Sequence, residues 1–432
     1  MPSAIVDPPH NGITKFTNCR LVRGDALVPG DLWVSAATGK IIHSQAEFYD
    51  QLLVPGEVID LGGRIVSPGL IDVQLNGAYG FNFSTMPETA AGYAKEVKTL
   101  NRQLVQTGVT SYMPTVTSQT AELYKAVLPH LGPNGHLRTA QDGSESLGAH
   151  VEGPFLSPTK NGIHNTDVFR QANEFADLEE CYGAANLTAS EAGKPAAVRK
   201  ITAAPEIASM TQLIPELRSR DIIFSVGHSE ATYEEASRAV EAGATMITHL
   251  FNAMRPLHHR NPGVFGVLGN PDVRKRPFFG IIADGIHLHP TTIKIALNAH
   301  PDGFILVTDA MHLVGLPDGA YRWANGNDVS SIVKKGSKLV LEGSDTIAGS
   351  SITLIECVNN LMEWTGASIP QALRTVTATP AAMLSLDGVK GTLEDGADAD
   401  LVIFSEESGS VGSKLRVDEV WKFGARVWGG GQ

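Results

Sequence analysis

The sequence predicts an α/β protein: a (β/α)8 TIM-type barrel with a small β-sandwich domain built from both chain ends. Three observations lead there. Short apolar runs alternate with amphipathic stretches through the middle of the chain, eight such runs can be counted, and nearly every run ends in a polar or ionisable residue. Buried strands alternating with helices require parallel pairing, and the C-terminal ends of barrel strands converge on one face.

The first segment, from Cys19 to Val66, is a series of β-like pieces (CRLV, ALV, DLWVSAATGKIIH, EVIDLGGRIV) broken by Gly, Asp and Pro. The last segment, DADLVIFS and RVDEVWKFGARVW, has the same character. Both read as hairpins, and neither can bury a core alone. The economical arrangement is one small β domain from residues 13–66 and 389–430, with a barrel of residues 67–388 inserted. The eight runs are IDVQLN, TSYMPT, LGAHVEG, ITAAPE, IIFSVGH, MITHLFN, FGIIADG and FILVTD, of which ITAAPE carries the thinnest strand pattern. Between them, AGYAKEVKTLNRQLVQTG, AELYKAVLPHL, MTQLIPELRSR and TYEEASRAVEAG have helical periodicity. A doubly wound open sheet gives the same alternation; the count of eight and the polar run ends favour closure. Disorder is expected over the first dozen residues.

The totals narrow the function. The chain has 432 residues, 42% hydrophobic and 19% charged, with a net charge of −12. That charge argues against a nucleic-acid partner but leaves room for an anionic small substrate in a local basic pocket. No apolar run reaches the ~18 residues of a membrane span. MPSAIVDPPHNG lacks the features of a secretory signal, and RVWGGGQ carries no lipidation signal. Cys19, Cys181 and Cys357 are far apart and odd in number, so a disulfide framework is not expected and a reducing cytoplasm is the simplest setting. The sequons at Asn82 and Asn186 then read as chance matches.

The run ends are Gln74 and Asn76, Glu152, Glu206, His228, His249, Asp284 and Asp309. One terminal carboxylate or histidine is unremarkable; this many on one face is not. Read singly, Glu152 in GAHVEGPFL could begin a solvated loop, and His228 in SVGHSEATYEEA could cap a helix. With His249 in MITHLFNAM they form a Glu/His/His set on three strands, which is ligand chemistry for Zn²⁺ with a fourth position for water. The same donors accept Fe²⁺ or Co²⁺. Asp309, ending FILVTDA, either caps a turn or takes a proton from water and returns it to a leaving group. His164 in KNGIHNTD either donates to a carbonyl oxygen or is a surface loop histidine. Arg255, His258, His259 and Arg260 in NAMRPLHHRNPGVFG are a grip for an anion, with Arg suited to phosphate, or a solvated basic loop. His287 in ADGIHLHP joins that grip or starts a helix. No Walker A or Rossmann glycine pattern follows a strand, so no nucleotide cofactor is indicated.

The ordered set PGLIDVQLNG, HVEGPFLSPTKNGIHN, GHSEAT, THLFNAM, HHRNPG, GIIADGIH, LVTDA and AGSSITL resembles the amidohydrolase superfamily over nearly the whole chain, and within it the deacetylases of N-acetylated amino-sugar phosphates. Most amidohydrolases carry His-x-His on the first strand, and many a carboxylated lysine on the fourth. Here Gln74 and Asn76 stand in the first place and the fourth run ends in Glu206. Amides are poor Zn²⁺ ligands beside imidazole, so the resemblance implies one divalent metal per chain, most readily Zn²⁺, held by Glu152, His228 and His249. It implies hydrolysis of the acetamide of N-acetylglucosamine 6-phosphate to glucosamine 6-phosphate and acetate, in amino-sugar catabolism and recycling. Asp309 would shuttle the proton and His164 would steady the oxyanion. Arg260, His287, Asn252 and the backbone at Ala253 would hold the sugar phosphate. Relatives draw part of that grip from a neighbouring subunit, which implies a homodimer. Cyclic-amide hydrolases and deaminases are the nearest rivals, but they usually need the first-strand His-x-His. A metal-free scaffold would have broken ligand positions.

Overall fold

The computed structural model describes residues 11–43, 54–86, 88–190, 193, 195–272, 275–325, 328–344, 346–408 and 412–430. The expectation of disorder over the first dozen residues falls, from residue 1 to residue 10, outside them. The chain opens with β1 (Ile13–Arg23), β2 (Ala26–Ser35), β3 (Lys40–Ile42), β4 (Glu57–Asp60) and β5 (Ile65–Pro68). Gly24, at φ 56°, supplies the left-handed residue that lets β1 turn directly into β2.

The barrel follows: β6 (Leu70–Leu75), the ribbon β7 (Gly77–Ala78) and β8 (Phe81–Asn82), α1 (Ala90–Leu104), β9 (Val109–Val116), α2 (Ala121–Val127), β10 (Glu145–Ser146) and β11 (Ala149–Glu152). Then come α3 (Phe175–Tyr182), β12 (Val198–Ala203), α4 (Met210–Ser219), β13 (Ile223–Val226), α5 (Tyr233–Ala242), β14 (Met246–Ile247), β15 (Phe278–Ile282), α6 (Pro290–Ala299) and β16 (Phe304–Val307). The parallel order is β6-β9-β11-β12-β13-β14-β15-β16, so every expected run contributes to a strand, including ITAAPE, whose first half forms the end of β12. These strands are buried on both faces, as β9 illustrates with every residue buried. The ends of the sheet meet: the Asp309 amide donates to the Gln74 carbonyl (2.9 Å) and the Asn76 amide to the Ala310 carbonyl (2.9 Å). An open doubly wound sheet would leave these edges apart. Outside, helices start on side-chain caps; Thr232 and Glu235 form a capping box at the head of α5, which stops at Gly243 in the left-handed region.

Between β16 and the next helix lies an antiparallel sheet that is not among the expected strands: β17 (Gly319–Asn325), β18 (Asp328–Lys335), β19 (Lys338–Leu341) and β20 (Ile347–Ser350). It packs on a small core of Met311, Leu313, Ile332, Leu339 and Ala348, against which Ile163 also rests. The helices α7 (Leu354–Thr365), α8 (Ile369–Arg374) and α9 (Ala378–Met383) follow.

The chain then returns to its first strands through β21 (Leu401–Ser408), β22 (Ser413–Lys422) and β23 (Ala425–Gly429). One mixed sheet results, in the order β23-β22-β21-β5-β1-β2-β3, with β4 on β1. Phe16 on β1 and Trp421 on β22 touch edge to face, with ring centroids 4.9 Å apart. Those strands are three places apart, roughly 14 Å in a flat sheet, so the sheet curls over its own core. A buried ion network joins it to the barrel. Lys390 pairs with Glu145, Asp398 (2.8 Å) and Asp400 (2.9 Å); Lys422, fully buried, reaches Glu145 (2.7 Å) and Asp400 (2.6 Å). Lys40 and Arg138 add further cations to Asp398. Among the described residues no helix is long and apolar enough to cross a membrane.

Candidate active site

The C-terminal strand ends open into a cavity of about 310 Å³ lined by Asn76, Glu152, His164, His228, His249, Asn252, Ala253, His287 and Asp309, among others. The backbone turns sharply where it leaves these strands. His228 (φ 49°), His249 (φ 28°), Phe251 (φ 77°), Ala253 (φ 49°) and Asp309 (φ 45°) all have positive φ. Each such residue costs about 1–3 kcal/mol and persists only where its surroundings enforce it. Here they turn side chains inward that a continued strand would send elsewhere.

Glu152 Oε1 lies 3.1 Å from His228 Nε2 and 3.0 Å from His249 Nε2, and the two nitrogens are 3.0 Å apart. All three side chains are buried. His228 Nδ1 is 2.7 Å from the Lys160 carbonyl oxygen. A carbonyl only accepts, so Nδ1 carries the hydrogen and neutral His228 presents a bare lone pair at Nε2. Three electron-rich atoms thus face one point, an arrangement that suits a divalent cation. A tetrahedral site with ligands near 2.1 Å separates them by about 3.4 Å, so they need to part by only a few tenths of an ångström. Without a cation, burial pushes Glu152 up, but its bonds to His228 and His249 prevail and hold its carboxyl well below the usual range. Burial likewise opposes the charged form of His249, and Glu152 overrides it and raises its pKa. His164 also lies within 4.8 Å of Glu152 and His228, ligand atom to ligand atom. Its Nδ1, however, is committed elsewhere.

That commitment fixes its tautomer. The Ser118 backbone N–H donates to His164 Nδ1 (3.2 Å), and the Ser118 hydroxyl lies 2.8 Å from the same nitrogen. Nδ1 is therefore an acceptor and Nε2 carries the hydrogen. Burial, with the neighbouring His228, lowers the imidazole pKa to about 3, so the ring is a neutral donor at any ordinary pH. Asp309 is half-buried. Desolvation and then the Glu152 charge raise its carboxyl to about 6. His287 points its Nδ1 at Asp284 (2.6 Å), which also accepts the backbone N–H groups of Ile286 (2.8 Å) and His287 (2.9 Å). Asp284 thus orients His287 and does not line the cavity.

The first-strand amides have a definite role in this geometry. Gln74 Nε2 donates to Glu152 Oε2 (3.1 Å), and Asn76 Nδ2 donates to Asp309 Oδ1 (2.7 Å). They steer two carboxylates. Beneath them the barrel interior is polar: His150 bridges Thr115 (3.1 Å) and Thr202 (2.7 Å), and Thr202 continues to Thr248 (2.6 Å). Lys200, fully buried on β12, donates to the Val73 carbonyl (2.6 Å). This layer went unread, although the spacing of His150 and Glu152, two apart on one strand, places both on one face.

Other expected positions also lie elsewhere. Glu206 does not line the cavity; it accepts from the Ser229 hydroxyl (2.6 Å) and the Glu230 amide (2.6 Å) and so braces the turn that carries His228. Arg260 and its neighbours His258 and His259 are exposed, outside the cavity lining of their own chain, and Arg255 turns back to the Glu230 carbonyl (3.0 Å). Conversely, Ile163, Met311, Thr346, Ile347 and Gly349 also form part of the wall and are not among the expected site residues. Gly349 has a legible reason: at φ 101° it passes so close that a Cβ would lie 2.6 Å from Met311 Cγ.

Residues 65–427 match the amidohydrolase family. The chain is 38% identical to N-acetylglucosamine-6-phosphate deacetylase of Danio rerio over 439 residues, covering 99% of this chain and 100% of that protein. Among solved structures it resembles N-acetylglucosamine-6-phosphate deacetylase of Pasteurella multocida, with a TM-score of 0.78, 27% identity and coverage of 96% of this chain and 99% of the other. It also resembles a variant of the Mycobacterium smegmatis enzyme in complex with N-acetyl-D-glucosamine-6-phosphate, with a TM-score of 0.75, 26% identity and coverage of 96% and 98%. The chain therefore belongs to the amidohydrolase family and, within it, to the family of N-acetylglucosamine-6-phosphate deacetylases.

Proposed function

We propose that this chain hydrolyses the acetamide of N-acetylglucosamine 6-phosphate to glucosamine 6-phosphate and acetate, a step of amino-sugar catabolism and recycling. The observation that carries the reading is the convergence of Glu152, His228 and His249 on one point, beside the half-buried Asp309 carboxylate and a neutral imidazole donor in one cavity. Glu152, His228 and His249 would hold one divalent cation, with Zn²⁺ the first choice. Bound there, it supplies a Lewis acid that polarises the acetamide carbonyl and acidifies a water.

Asp309 takes the proton of the attacking water as the oxygen adds to the carbonyl carbon. His164, its hydrogen held on Nε2, donates to the carbonyl oxygen as negative charge grows there. Asp309 then passes the proton to the nitrogen as the C–N bond breaks, so one group serves as base and acid. Asn252, the backbone at Ala253 and His287 take the sugar, and Arg260 takes the phosphate. The exposure of Arg260 outside its own cavity supports a homodimer in which it reaches the neighbouring subunit. The free, buried thiols of Cys19, Cys181 and Cys357 fit a reducing cytoplasm.

The decisive assay compares acetate release from N-acetylglucosamine 6-phosphate and from N-acetylglucosamine, with and without a chelator. Rapid, chelator-sensitive release from the phosphate ester alone is expected. No release from either sugar, in protein containing its metal, would remove the proposed substrate and bring cyclic amides forward. In the same assay Arg260→Ala is expected to lower kcat/KM for the phosphate ester roughly 10–100-fold, the worth of a charge-assisted contact. Metal content should not change. An equal loss on both sugars would show that Arg260 does not read the phosphate.

A further inference from the structure

Asn76 is 6% exposed, lines the cavity and uses its nitrogen fully. Nδ2 donates to Asp309 Oδ1 (2.7 Å) and lies 3.2 Å from the Asp309 carbonyl oxygen. Both partners accept, so the carboxamide cannot be reversed. Its other atom, Oδ1, is buried with no hydrogen-bond partner among the described residues. A buried carbonyl oxygen left unpaired costs about 1–3 kcal/mol, so a donor belongs there. Nitrogen and oxygen share one rigid plane, so the open acceptor is fixed next to the nitrogen that holds the Asp309 carboxylate. A donor at that spot faces two acceptors. Water has two hydrogens to give and a lone pair left over. A secondary amide N–H has only one.

We propose that Asn76 aligns the water that attacks the substrate. One hydrogen of the water points to the Asp309 oxygen that Asn76 leaves free, the other points to Asn76 Oδ1, and the lone pair faces the carbonyl carbon. The water's O–H bond to Asp309 breaks, its oxygen bonds to carbon, and Asp309 keeps the proton until the amine leaves. The hydrogen on Asn76 Oδ1 stays on the oxygen. Asn76 thus sets both the rotamer of the base and the direction of the nucleophile.

This inference rests on the deacetylase reading for its kinetic arm and stands apart from it in its structural arm. Asn76→Ala is expected to lower kcat about 10²-fold, the cost of a small misplacement of reacting groups. KM should stay within about threefold, and metal content and melting temperature should not change. Asn76→Asp keeps the volume and the acceptor but replaces the donor with a charge beside Asp309, and is expected to lose at least about tenfold in kcat. A loss carried wholly by KM, or a kcat close to wild type in both variants, would overturn the proposal. Crystals of the metal-loaded wild type should hold a water within hydrogen-bond distance of both Asn76 Oδ1 and Asp309, and crystals of Asn76→Ala should not. Should wild-type protein release no acetate from either sugar, the deacetylase reading fails and the position of that water alone decides the inference.

Discussion

Replacing Asp309 with asparagine is expected to lower kcat on the order of 10²–10⁴-fold while the divalent metal stays bound. The size follows from the double duty assigned to this carboxylate, which receives the water's proton and delivers it to the leaving nitrogen. An amide can do neither. The substitution is also gentle on the fold. Asp309 sits at φ 45°, where asparagine is among the few residues that are readily accommodated. Asn76 can still donate to the new side-chain oxygen in place of Asp309 Oδ1, 2.7 Å away in wild type. Metal analysis with steady-state kinetics on the phosphate ester settles the matter. Turnover close to wild type would remove Asp309 as the proton shuttle, and a loss accompanied by departure of the metal would make it a ligand.

The second large effect concerns stability. Lys390→Met is expected to destabilise the protein by about 3–5 kcal/mol near neutral pH, because buried Glu145 and Asp400 would then share Lys422 alone, while Asp398 keeps Lys40 and Arg138. Truncating one partner of a buried pair costs more than the pair itself is worth. The pH dependence follows from the shifts. Burial raises Asp398 and Asp400, but the Lys390 charge prevails and holds both below the usual carboxylate range. Burial lowers Lys390, and the surrounding carboxylates prevail and raise it. Depressed carboxylates stabilise above their unfolded pKa, near 4, and lose that contribution as pH falls through the folded values. A raised lysine stabilises below its unfolded pKa, about 10.4, and loses its contribution above it. The network therefore works between about pH 4 and pH 10. Urea titrations of wild type and Lys390→Met should differ most in that window and converge in acid. A constant difference down to pH 3 would trace the loss to packing instead of charge.

The eight barrel strands were legible because each is buried on both faces and so reads as an apolar run between polar segments. The cluster of Glu152, His228 and His249 was legible for a related reason: these residues interrupt that apolarity at the same end of three strands. The roles of Gln74 and Asn76 were not, since their partners lie 78 and 233 residues away and no local pattern records such contacts. The sheet from β17 to β20 escaped because its core is small, with Ile332, Leu339 and Ala348 spread singly over strands whose other described residues are mostly partly buried or exposed. Lys200 escaped as well. A charged residue in a strand reads as solvent-facing, and only closure of the barrel turns it toward the Val73 carbonyl. Arg260 was legible as a cation, while its distance from its own cavity was not.

The sheet formed from both chain ends sets an order on how the molecule is made. Arg20 on β1 and Glu406 on β21 form an ion pair across 386 residues. At ordinary ribosome speeds the first strands leave the tunnel about 20–80 s before that partner exists. During this interval β5 has an open edge where β21 will pair, and an unpaired edge is a template for another chain. The barrel has time to close first, and the final strands then seal a sheet that has been waiting for them. Translation speed and chaperone cover over the first strands, more than the chemistry of the cavity, should therefore govern how much active enzyme a cell recovers.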